Sequence, residues 1–214
     1  MEGAAGGDVP YATIFTVGGL IWRRVAIFAD DMKCNAITIA NEIIRTAMAQ
    51  GRNVTPLQLM KLTYIAYGVG LAEYPGTPMI DPRFDSVEAW RLGPVIPSVY
   101  HTFKHFGAQP VTELGTVLRP DGGCERPSVE TPLFGGAEGD DRRASVIRFT
   151  WRRYGMMAAG DLVYILHSEG TPWQLSYKEG MNARIPERLT RRYYEILLEE
   201  IRRNYARRNE KVGA

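Results

Sequence analysis

Residues 55–76 read TPLQLMKLTYIAYGVGLAEYPG and contain the start signal, the body and the stop signal of one helix. Thr55 suits the cap and Pro56 the first helical position, while Gln58 stands three residues after the cap, so the pattern predicts a capping box. The Tyr-Pro-Gly sequence near the end of the stretch stops the helix at about Glu73. Apolar residues lie on nearly every side between these ends, which is typical of a central helix covered by its neighbours.

Two glycines inside this helix, Gly68 and Gly70, predict close approach by neighbouring elements, since glycine otherwise lowers helix propensity. Flanking helices are predicted near both ends of the chain from apolar residues spaced three and four apart. The first runs from a cap at Asn35 to about Gln50. The last opens after Ile185, and its predicted core stripe steps by four residues. That stripe consists of Leu189, Tyr193, Leu197 and Ile201.

Between these helices the sequence predicts a short strand and a sharp corner. The strand lies at residues 86–90, where side-chain alternation places Glu88 and Trp90 on the same face. A Gly-Pro corner follows at residues 93–94. Proline suits the first turn of a helix, so the next helix is predicted at residues 97–107.

The second half of the chain is predicted to be helical from about Ser145 onwards, with a helix at residues 158–167 and a tight aromatic loop at residues 169–173. Residues 112–143, which precede it, are rich in Gly, Pro, Asp, Glu and Arg. Such a segment buries little apolar surface and predicts a long surface loop with a brief strand. We therefore expect a mainly α protein: a compact single helical domain with a small amount of β structure.

The composition is ordinary for a globular protein, with 45% hydrophobic and 23% charged residues. A formal net charge of +2 selects neither nucleic acid nor an anionic membrane as a partner. Cys34 and Cys124 are far apart in the sequence and predict free thiols in a reducing cytosol rather than a disulfide framework. We expect a cytoplasmic protein with no membrane partner.

Residues 1–31 differ in composition from the rest of the chain. Their apolar run, IFTVGGLIW, is shorter than the roughly 18 residues that span a bilayer. Glu2 and Asp8 precede it, whereas a signal peptide has positive charge there. We interpret residues 1–31 as a poorly ordered extension, or as the result of a start site placed too early with Met32 as the alternative start. The domain then covers residues 32–211.

His101 and His105 are the pair of residues that most favours an enzyme. They lie four apart and share one face of a helix, as a zinc pair would. A metal site needs three or four ligands, and the acidic residues that could complete it, Glu88, Asp161 and Glu169, show no signature spacing. Nucleophile elbows, phosphate loops and Cys-His signatures are also missing from the sequence. We predict no catalytic residue, metal or cofactor, and keep a metal-dependent hydrolase using this pair as an alternative.

Cationic residues are concentrated near the C-terminus. Residues 202–211 contain four arginines and one lysine against a single glutamate. A nucleic-acid binder is the alternative that this cluster raises. Acidic residues lie just upstream and no DNA-reading motif precedes the cluster. Cations also suit a helix C-terminus, so we favour a solvated helix end over nucleic-acid binding.

Three blocks, in order, resemble the Panacea domain, a family that includes SocA-like antitoxins and phage-associated GepA-like proteins. The blocks are KLTYIAYGVGLAEYPGTPMI, FDSVEAWRLGPVIPSVYHTFKHFG and YGMMAAGDLVYILHSEGTPW. The resemblance covers residues 36–185. The sequence departs from the family pattern at Met60, where Gln is usual, at residues 167–168, where Thr-His is usual, and in its long insertion. The matching motif residues are Lys61, Tyr64, Glu88, Trp90, Gly93, Pro94, Tyr154, Gly155 and Pro172.

The resemblance implies a mainly helical antitoxin that binds and neutralises a protein toxin encoded by an adjacent gene. SocA-like members deliver the toxin to a protease, so a proteolytic adaptor is the alternative that the family implies. The resemblance implies no catalytic residue, which agrees with the search for motifs. It does not identify the toxin.

The predicted toxin contact is a mixed aromatic and cationic helix flank. Trp90 and the Gly-Pro corner would set the angle at which the helix from residue 97 is presented. The flank, together with a rim around one tryptophan, combines the residue types that suit a protein interface. Its candidate toxin-binding residues are Tyr100, His101, Lys104, His105 and Trp173.

Overall fold

Helix α2, Pro56–Glu73, is surrounded by other elements along most of its length. The computed structural model describes residues 11–13, 24–26, 35–119, 128–136 and 139–212. Every α2 residue from position 59 to 71 is buried, which confirms that this helix is central. Helices on several sides pack against it, and together they enclose one continuous core.

The start of α2 follows the predicted cap only in part. The Thr55 hydroxyl accepts a hydrogen bond from the backbone N–H of Gln58. The Gln58 side chain does not return to the cap, so the predicted capping box is wrong in that half. Its Nε2 instead donates to the backbone oxygens of Gly155 and Met157, at 3.3 and 2.8 Å. Gln58 therefore ties the start of α2 to a turn almost a hundred residues later.

The described residues are mainly α, as the sequence predicts. The other α-helices are α1 (Ala36–Ala49), α3 (Pro97–Phe103), α4 (Asp140–Tyr154), α5 (Ala159–His167), α6 (Pro172–Ser176) and α7 (Glu187–Val212). A short 3-10 helix, Lys104–Phe106, continues α3. The predicted cap of α1 is confirmed, because the Asn35 side chain accepts from the backbone N–H of Thr38.

Three small antiparallel sheets complete the described structure. Strands β1 (Tyr11–Thr13) and β2 (Arg24–Ala26) form one pair, and β5 (Val117–Arg119) and β6 (Ser128–Glu130) form another. Strand β3 (Glu88–Trp90) lies between β4 (Gly93–Val95) and β7 (Ala183–Arg184). The predicted strand and the brief strand expected in the long loop are both confirmed.

Glycines in α2 admit two neighbouring side chains. A methyl group on Gly68 would lie 2.1 Å from the ring of Tyr194, and one on Gly70 would lie 2.2 Å from the side chain of Met79. Real atoms do not approach so closely, so both positions require glycine while their neighbours stay in place. The predicted close approach is confirmed.

The predicted core stripe of α7 is displaced by one residue. Thr190, Tyr194 and Leu198 are the buried residues, whereas the predicted apolar set is only partly buried. Thr190 is polar and therefore escapes a hydrophobic pattern, but its hydroxyl lies 3.4 Å from the hydroxyl of Tyr64. A satisfied hydroxyl can occupy the core at little cost. The apolar residues one position earlier then line the flank of the buried stripe.

The long loop ends earlier than predicted, because α4 begins at Asp140 and not near Ser145. The Asp140 carboxylate accepts from the backbone N–H groups of Gly135 and Gly136 and forms a buried ion pair with Arg143 at 3.0 Å. Arg143 Nε also donates to the backbone oxygen of Pro78. Asp140 and Arg143, which the sequence analysis assigned to the surface loop, can therefore be buried at the start of a helix, because both are paired with each other and with backbone groups.

Several expectations fall outside the described residues. Most of residues 1–31 do, apart from strands β1 and β2, and so do Cys34 and Cys124. The proposed extension, the alternative start at Met32 and the state of the thiols stay predictions. Within the described ranges, no helix combines the length and the apolar character needed to cross a bilayer.

Candidate protein-binding surface

The corner between β3 and β4 is a two-residue turn at residues 91–92, so the Gly-Pro corner predicted at residues 93–94 is displaced and those two residues begin β4. Gly93 is the residue that follows the turn. Its φ angle of +103° lies in the region that favours glycine, and the turn places Arg91 and Leu92 at the exposed tip. A methyl group on Gly93 would lie 3.1 Å from Lys61 Nζ and 3.3 Å from His167 Nε2. Two nitrogen-bearing side chains from α2 and α5 therefore meet at the back of this corner.

Lys61 is a fully buried lysine in the central helix. Its Nζ donates a hydrogen bond to the backbone oxygen of Pro94 at 2.9 Å, which joins α2 to β4. Burial disfavours the ammonium form and lowers the pKa of Lys61 to about 7. The motif lysine therefore makes a structural contact within the fold and is not exposed to solvent.

His167, the last residue of α5, lies beside Lys61. Its ring stacks on the indole of Trp173, with centroids 3.6 Å apart and an interplanar angle of 6°. Its Nε2 is buried and has no hydrogen-bond partner in the described part of the chain. Desolvation and the nearby charge of Lys61 lower the pKa of His167, so the neutral ring is favoured.

The tight loop predicted at residues 169–173 is confirmed as a turn up to residue 171, where a helix start takes over. Thr171 caps α6 through the backbone N–H of Gln174, and Pro172 occupies the first turn. Trp173 is only 9% exposed, and its Nε1 donates to the backbone oxygen of Trp90 at 2.8 Å. Helix α6 thus fastens the β3–β4 corner from below.

Trp90 links this buried cluster to α3. Its Nε1 donates to Glu88 Oε2 at 2.7 Å, which confirms that both side chains lie on the same face of β3. The ring of Tyr100 packs edge-on against the Trp90 indole, with centroids 4.8 Å apart. The angle of α3 relative to the corner therefore depends on a continuous line of aromatic contacts.

The outer side of α3 and its 3-10 extension presents a mixed aromatic and cationic surface, which we call the α3 flank (Tyr100, His101, Lys104 and His105). Lys104 and His105 are exposed, and the other two are partly buried. Lys104 Nζ lies 5.7 Å from the Tyr100 ring centroid, within the range of a cation–π contact. His105 Nε2 lies 3.5 Å from Glu113 Oε1.

The structure brings four of the five predicted contact residues together. Trp173 is the exception, because it lies beneath the surface, where it bonds to the backbone of Trp90, whose ring contacts Tyr100. The predicted rim around Trp173 and the flank as a toxin contact both stay predictions.

His101 and His105 were also the candidate zinc pair. The described residues contain no group of three or more His, Cys, Asp and Glu side chains placed to hold a metal ion. Glu113 is near His105, but the remaining acidic candidates do not join the pair into such a group.

The other motif residues have structural positions. Tyr64 is buried against Tyr194 and Thr190, and Tyr154, the last residue of α4, is also buried. A methyl group on Gly155 would lie 2.5 Å from the indole of Trp151, so this glycine permits the turn after α4.

Sequence reasoning missed the carboxylate that positions the start of α3. Asp85 is buried, and it accepts from the backbone N–H of Ala36 at 2.9 Å and from the Ser98 hydroxyl at 2.5 Å. Burial raises the pKa of Asp85. Its only sequence signal was an aspartate followed by a serine in a proline-rich segment, which also fits an exposed turn.

These features define a class of protein: a helical module with an exposed flank of aromatic and basic residues and a buried aromatic support. A family model described as "Antitoxin SocA-like, Panacea domain" matches residues 59–174. The chain belongs to this family. It is 28% identical over 146 residues to Antitoxin SocA from Caulobacter vibrioides (strain NA1000 / CB15N), an alignment that covers 68% of this chain and 72% of that protein. No solved structure matches the chain.

Proposed function

We propose that this protein is an antitoxin that neutralises a protein toxin by direct binding in the cytoplasm, with residues 32–211 as the binding unit. Membership of the SocA-like family and the likeness to Antitoxin SocA support the antitoxin role. The proposal includes no catalytic step. The toxin is expected to be the product of an adjacent gene.

The α3 flank is the proposed contact surface, and the exposed pair of Lys104 and His105 beside the Tyr100 ring carries this placement. Aromatic side chains supply contact area, while the Lys104 ammonium group favours an acidic partner surface. Trp90 and Trp173 hold Tyr100 from behind. The proposed role of Trp173 is therefore to support the flank from within.

Growth rescue tests the proposal. The adjacent open reading frame is expressed with and without this protein, and then with the double variant Lys104→Glu and His101→Asp. The wild-type protein should restore growth, and the double variant should lose rescue while its circular dichroism spectrum stays native. The matched control is Arg45→Glu with Met48→Asp, which makes the same charge changes at exposed positions of α1. Equal rescue by both double variants would contradict the placement.

The same strains distinguish direct neutralisation from delivery to a protease. Direct binding predicts a stable complex between the purified proteins and an unchanged toxin lifetime in cells. A shorter toxin lifetime that depends on this protein would instead support the adaptor alternative. If the wild-type protein neither forms a complex with the toxin nor rescues growth, the antitoxin role itself is contradicted.

A further inference from the structure

A pocket of about 390 Å³ opens on the surface between the ends of α1 and α4. Its lining residues come from the end of α1, the second half of α4 and the turn after α4, and none of them is acidic. They are Thr46, Gln50, Arg148, Trp151, Arg152 and Met156. A water molecule occupies about 30 Å³ in the liquid, so the pocket has room for more than one side chain of a bound segment.

Two arginines line the pocket directly. Arg148 and Arg152 are exposed and lie four residues apart, so both stand on one face of α4. Neither guanidinium group forms an ion pair or a hydrogen bond with any residue that the structure describes. Arg143 of the same helix is different, because it is buried in an ion pair with Asp140. The donors of the two pocket arginines are therefore available to a ligand.

Gln50 adds a third donor beside these arginines. Its Oε1 accepts a hydrogen bond from the indole Nε1 of Trp151 at 2.9 Å. This bond fixes the orientation of the amide and leaves Nε2 without a hydrogen-bond partner among the described residues. The pocket therefore presents several N–H donors and no carboxylate, which is the composition of a site for a carboxylate group.

The carboxylates nearest along the two helices do not neutralise these arginines. Glu42, one turn before Thr46, is already held by the Arg45 guanidinium at 3.1 Å and by the backbone N–H of Phe134 at 3.0 Å. Asp141 lies seven residues before the first of the two arginines, which is about 10 Å along the axis of a helix. The positive charge is thus confined to the pocket.

The ends of α1 and α4 lie beside the pocket, and the last carbonyl groups of a helix carry a partial negative charge. Arg152 lies in the last turn of α4 and offsets this charge. Arg148 precedes the last turn. Since the effect of a helix end falls off within one turn, the charge of Arg148 stays available to a ligand.

We propose that this pocket binds an acidic segment of a partner protein. Two carboxylates of the segment would pair with Arg148 and Arg152, and one of them would also accept from Gln50 Nε2. Arginine forks bind carboxylates with two parallel hydrogen bonds. An apolar side chain would pack on Met156, which is 59% exposed and belongs to a residue type that adapts its shape to a partner. The site shares no residue with the α3 flank, so it goes beyond the proposed function.

The spacing of the lining residues suits an extended segment. Residues four apart on a helix are separated by about 6 Å along its axis. Alternate residues of an extended chain share one side and are about 6.7 Å apart. A Glu-x-Glu-x-Leu segment can therefore place its carboxylates at Arg148 and Arg152 and its leucine near Met156, the next lining residue along the chain.

A polypeptide fits this site better than a nucleic acid does. Nucleic-acid binding proteins typically contact about six to ten phosphates, whereas only two arginines line this pocket. The carboxylates of Glu42 and Asp141 would repel a longer run of phosphates. The apolar contact at Met156 contributes nothing to a phosphate backbone.

Fluorescence anisotropy with the full chain tests the proposal. The probe is a peptide that contains Glu-Ser-Glu-Ser-Leu and carries an uncharged dye. Further probes are the same peptide with Gln in place of Glu, a peptide of the same composition with the order Glu-Glu-Ser-Ser-Leu, and a DNA duplex of arbitrary sequence. The wild-type protein should bind the first peptide and should bind the Gln peptide about tenfold more weakly, as expected for losing two exposed charge pairs. The reordered peptide should also bind more weakly, because neighbouring side chains of an extended chain point to opposite sides.

Two variants place the binding in the pocket. Arg148→Gln with Arg152→Gln should weaken binding of the acidic peptide by about tenfold. Gln50→Glu retains an oxygen that accepts from the Trp151 indole and adds a carboxylate beside the arginines, so it should weaken binding to a similar extent. Circular dichroism checks that each variant is folded.

The matched control is Arg203→Gln with Arg207→Gln. It removes the same charge from two exposed arginines that lie four residues apart on α7 and do not line the pocket. Binding of the acidic peptide should stay within about twofold of the wild-type value, because distant exposed charges are screened by salt.

Four results would overturn the proposal. The first two are failure of the folded wild-type protein to bind the acidic peptide and equal weakening by the two arginine double variants. The third is tighter binding of the duplex than of the peptide in the same salt. The fourth is displacement of the peptide by glutarate as effectively as by unlabelled peptide, which would indicate a site for a small organic acid. None of them bears on the α3 flank, whose test is the rescue of growth.

Discussion

The imidazole of His167 lies parallel to the indole of Trp173, 3.6 Å away between centroids, while its Nε2 is buried without a partner. The stacked ring adds contact area that supports the β3–β4 corner. The buried Nε2 adds no hydrogen bond with any described residue. The two parts of the side chain can therefore be separated by substitution.

His167→Phe should retain the stack and remove the buried nitrogen, so the free energy of unfolding should stay equal or increase. His167→Ala should lower it by about 0.5–1.5 kcal/mol beyond the loss of buried area, because aromatic pairs contribute that much. Urea denaturation of both variants measures the difference. A loss with His167→Phe as large as with His167→Ala would show that the nitrogen makes a required contact.

Acid titration gives a second reading of the same residue. The folded-state pKa of His167 lies below the ordinary value of 6.5, so the unfolded chain takes up its proton first as the pH falls. The stability contributed by this residue is complete above pH 6.5 and decreases below it. The loss should be smaller in His167→Phe than in the wild-type protein when both are denatured with urea across this range.

Gly93→Ala should destabilise the corner for two physical reasons. The positive φ angle disfavours any other residue, and the new methyl group would press on Lys61 Nζ and His167 Nε2. The expected cost is about 1–3 kcal/mol in the free energy of unfolding. Gly107→Ala is the matched control, since Gly107 also has a positive φ angle but no heavy atom within 4 Å of the added methyl. If both variants lose the same stability, crowding at Gly93 plays no part.

The sequence predicted where the helices lie better than it predicted which of their residues are buried. Thr55 and Asn35 correctly predicted the starts of two helices, because helix caps are local hydrogen bonds between residues close in sequence. The apolar residues on all sides of α2 correctly predicted that this helix is central, because burial also leaves a pattern in the sequence. The α7 stripe was displaced by one residue because Thr190 enters the core through a tertiary hydrogen bond with Tyr64.

The same distinction holds for the candidate surface. Helical spacing was sufficient to place Tyr100, His101, Lys104 and His105 together. The burial of Trp173 and the meeting of Lys61 with His167 depend on how α2, α5 and α6 pack, and contacts between residues a hundred positions apart leave no local pattern. Nor did the sequence show that Asp140 and Arg143 would pair inside the fold.

Lys61→Met should reduce the increase of the free energy of unfolding with pH above about pH 7. The folded-state pKa of Lys61 is about 7 and its ordinary value is 10.5, so between these values the unfolded chain holds a proton that the folded chain has released. The free energy of unfolding of the wild-type protein should therefore rise with pH in this window, with a slope that approaches about 1.4 kcal/mol per pH unit.

Urea denaturation between pH 7 and 10 measures that slope, below the range in which buried tyrosines contribute an opposite trend. Lys61→Met should lose most of it, whereas Lys178→Met, at an exposed position, should keep the wild-type slope. An unchanged slope in a folded Lys61→Met variant would mean that the buried amine does not titrate in this range.

Gly68→Ala should destabilise the packing of α2 against α7. The added methyl group would lie 2.1 Å from the ring of Tyr194, so the ring or the helix must move, at a cost of about 1–3 kcal/mol in the free energy of unfolding. Gly160→Ala in α5 is the matched control, because its methyl group meets no heavy atom within 4 Å and alanine favours the helix. That control should gain about 0.4–1 kcal/mol.

A double-mutant cycle identifies the ring as the cause. In a Tyr194→Leu background the methyl group of Gly68→Ala has more room, so the same substitution should cost less than in the wild-type protein, and the difference is the coupling free energy between the two positions. Chemical denaturation of the four proteins in the cycle gives this value. A coupling near zero would mean that the cost of Gly68→Ala arises within α2 itself, and that the close approach of Tyr194 can be relieved without loss.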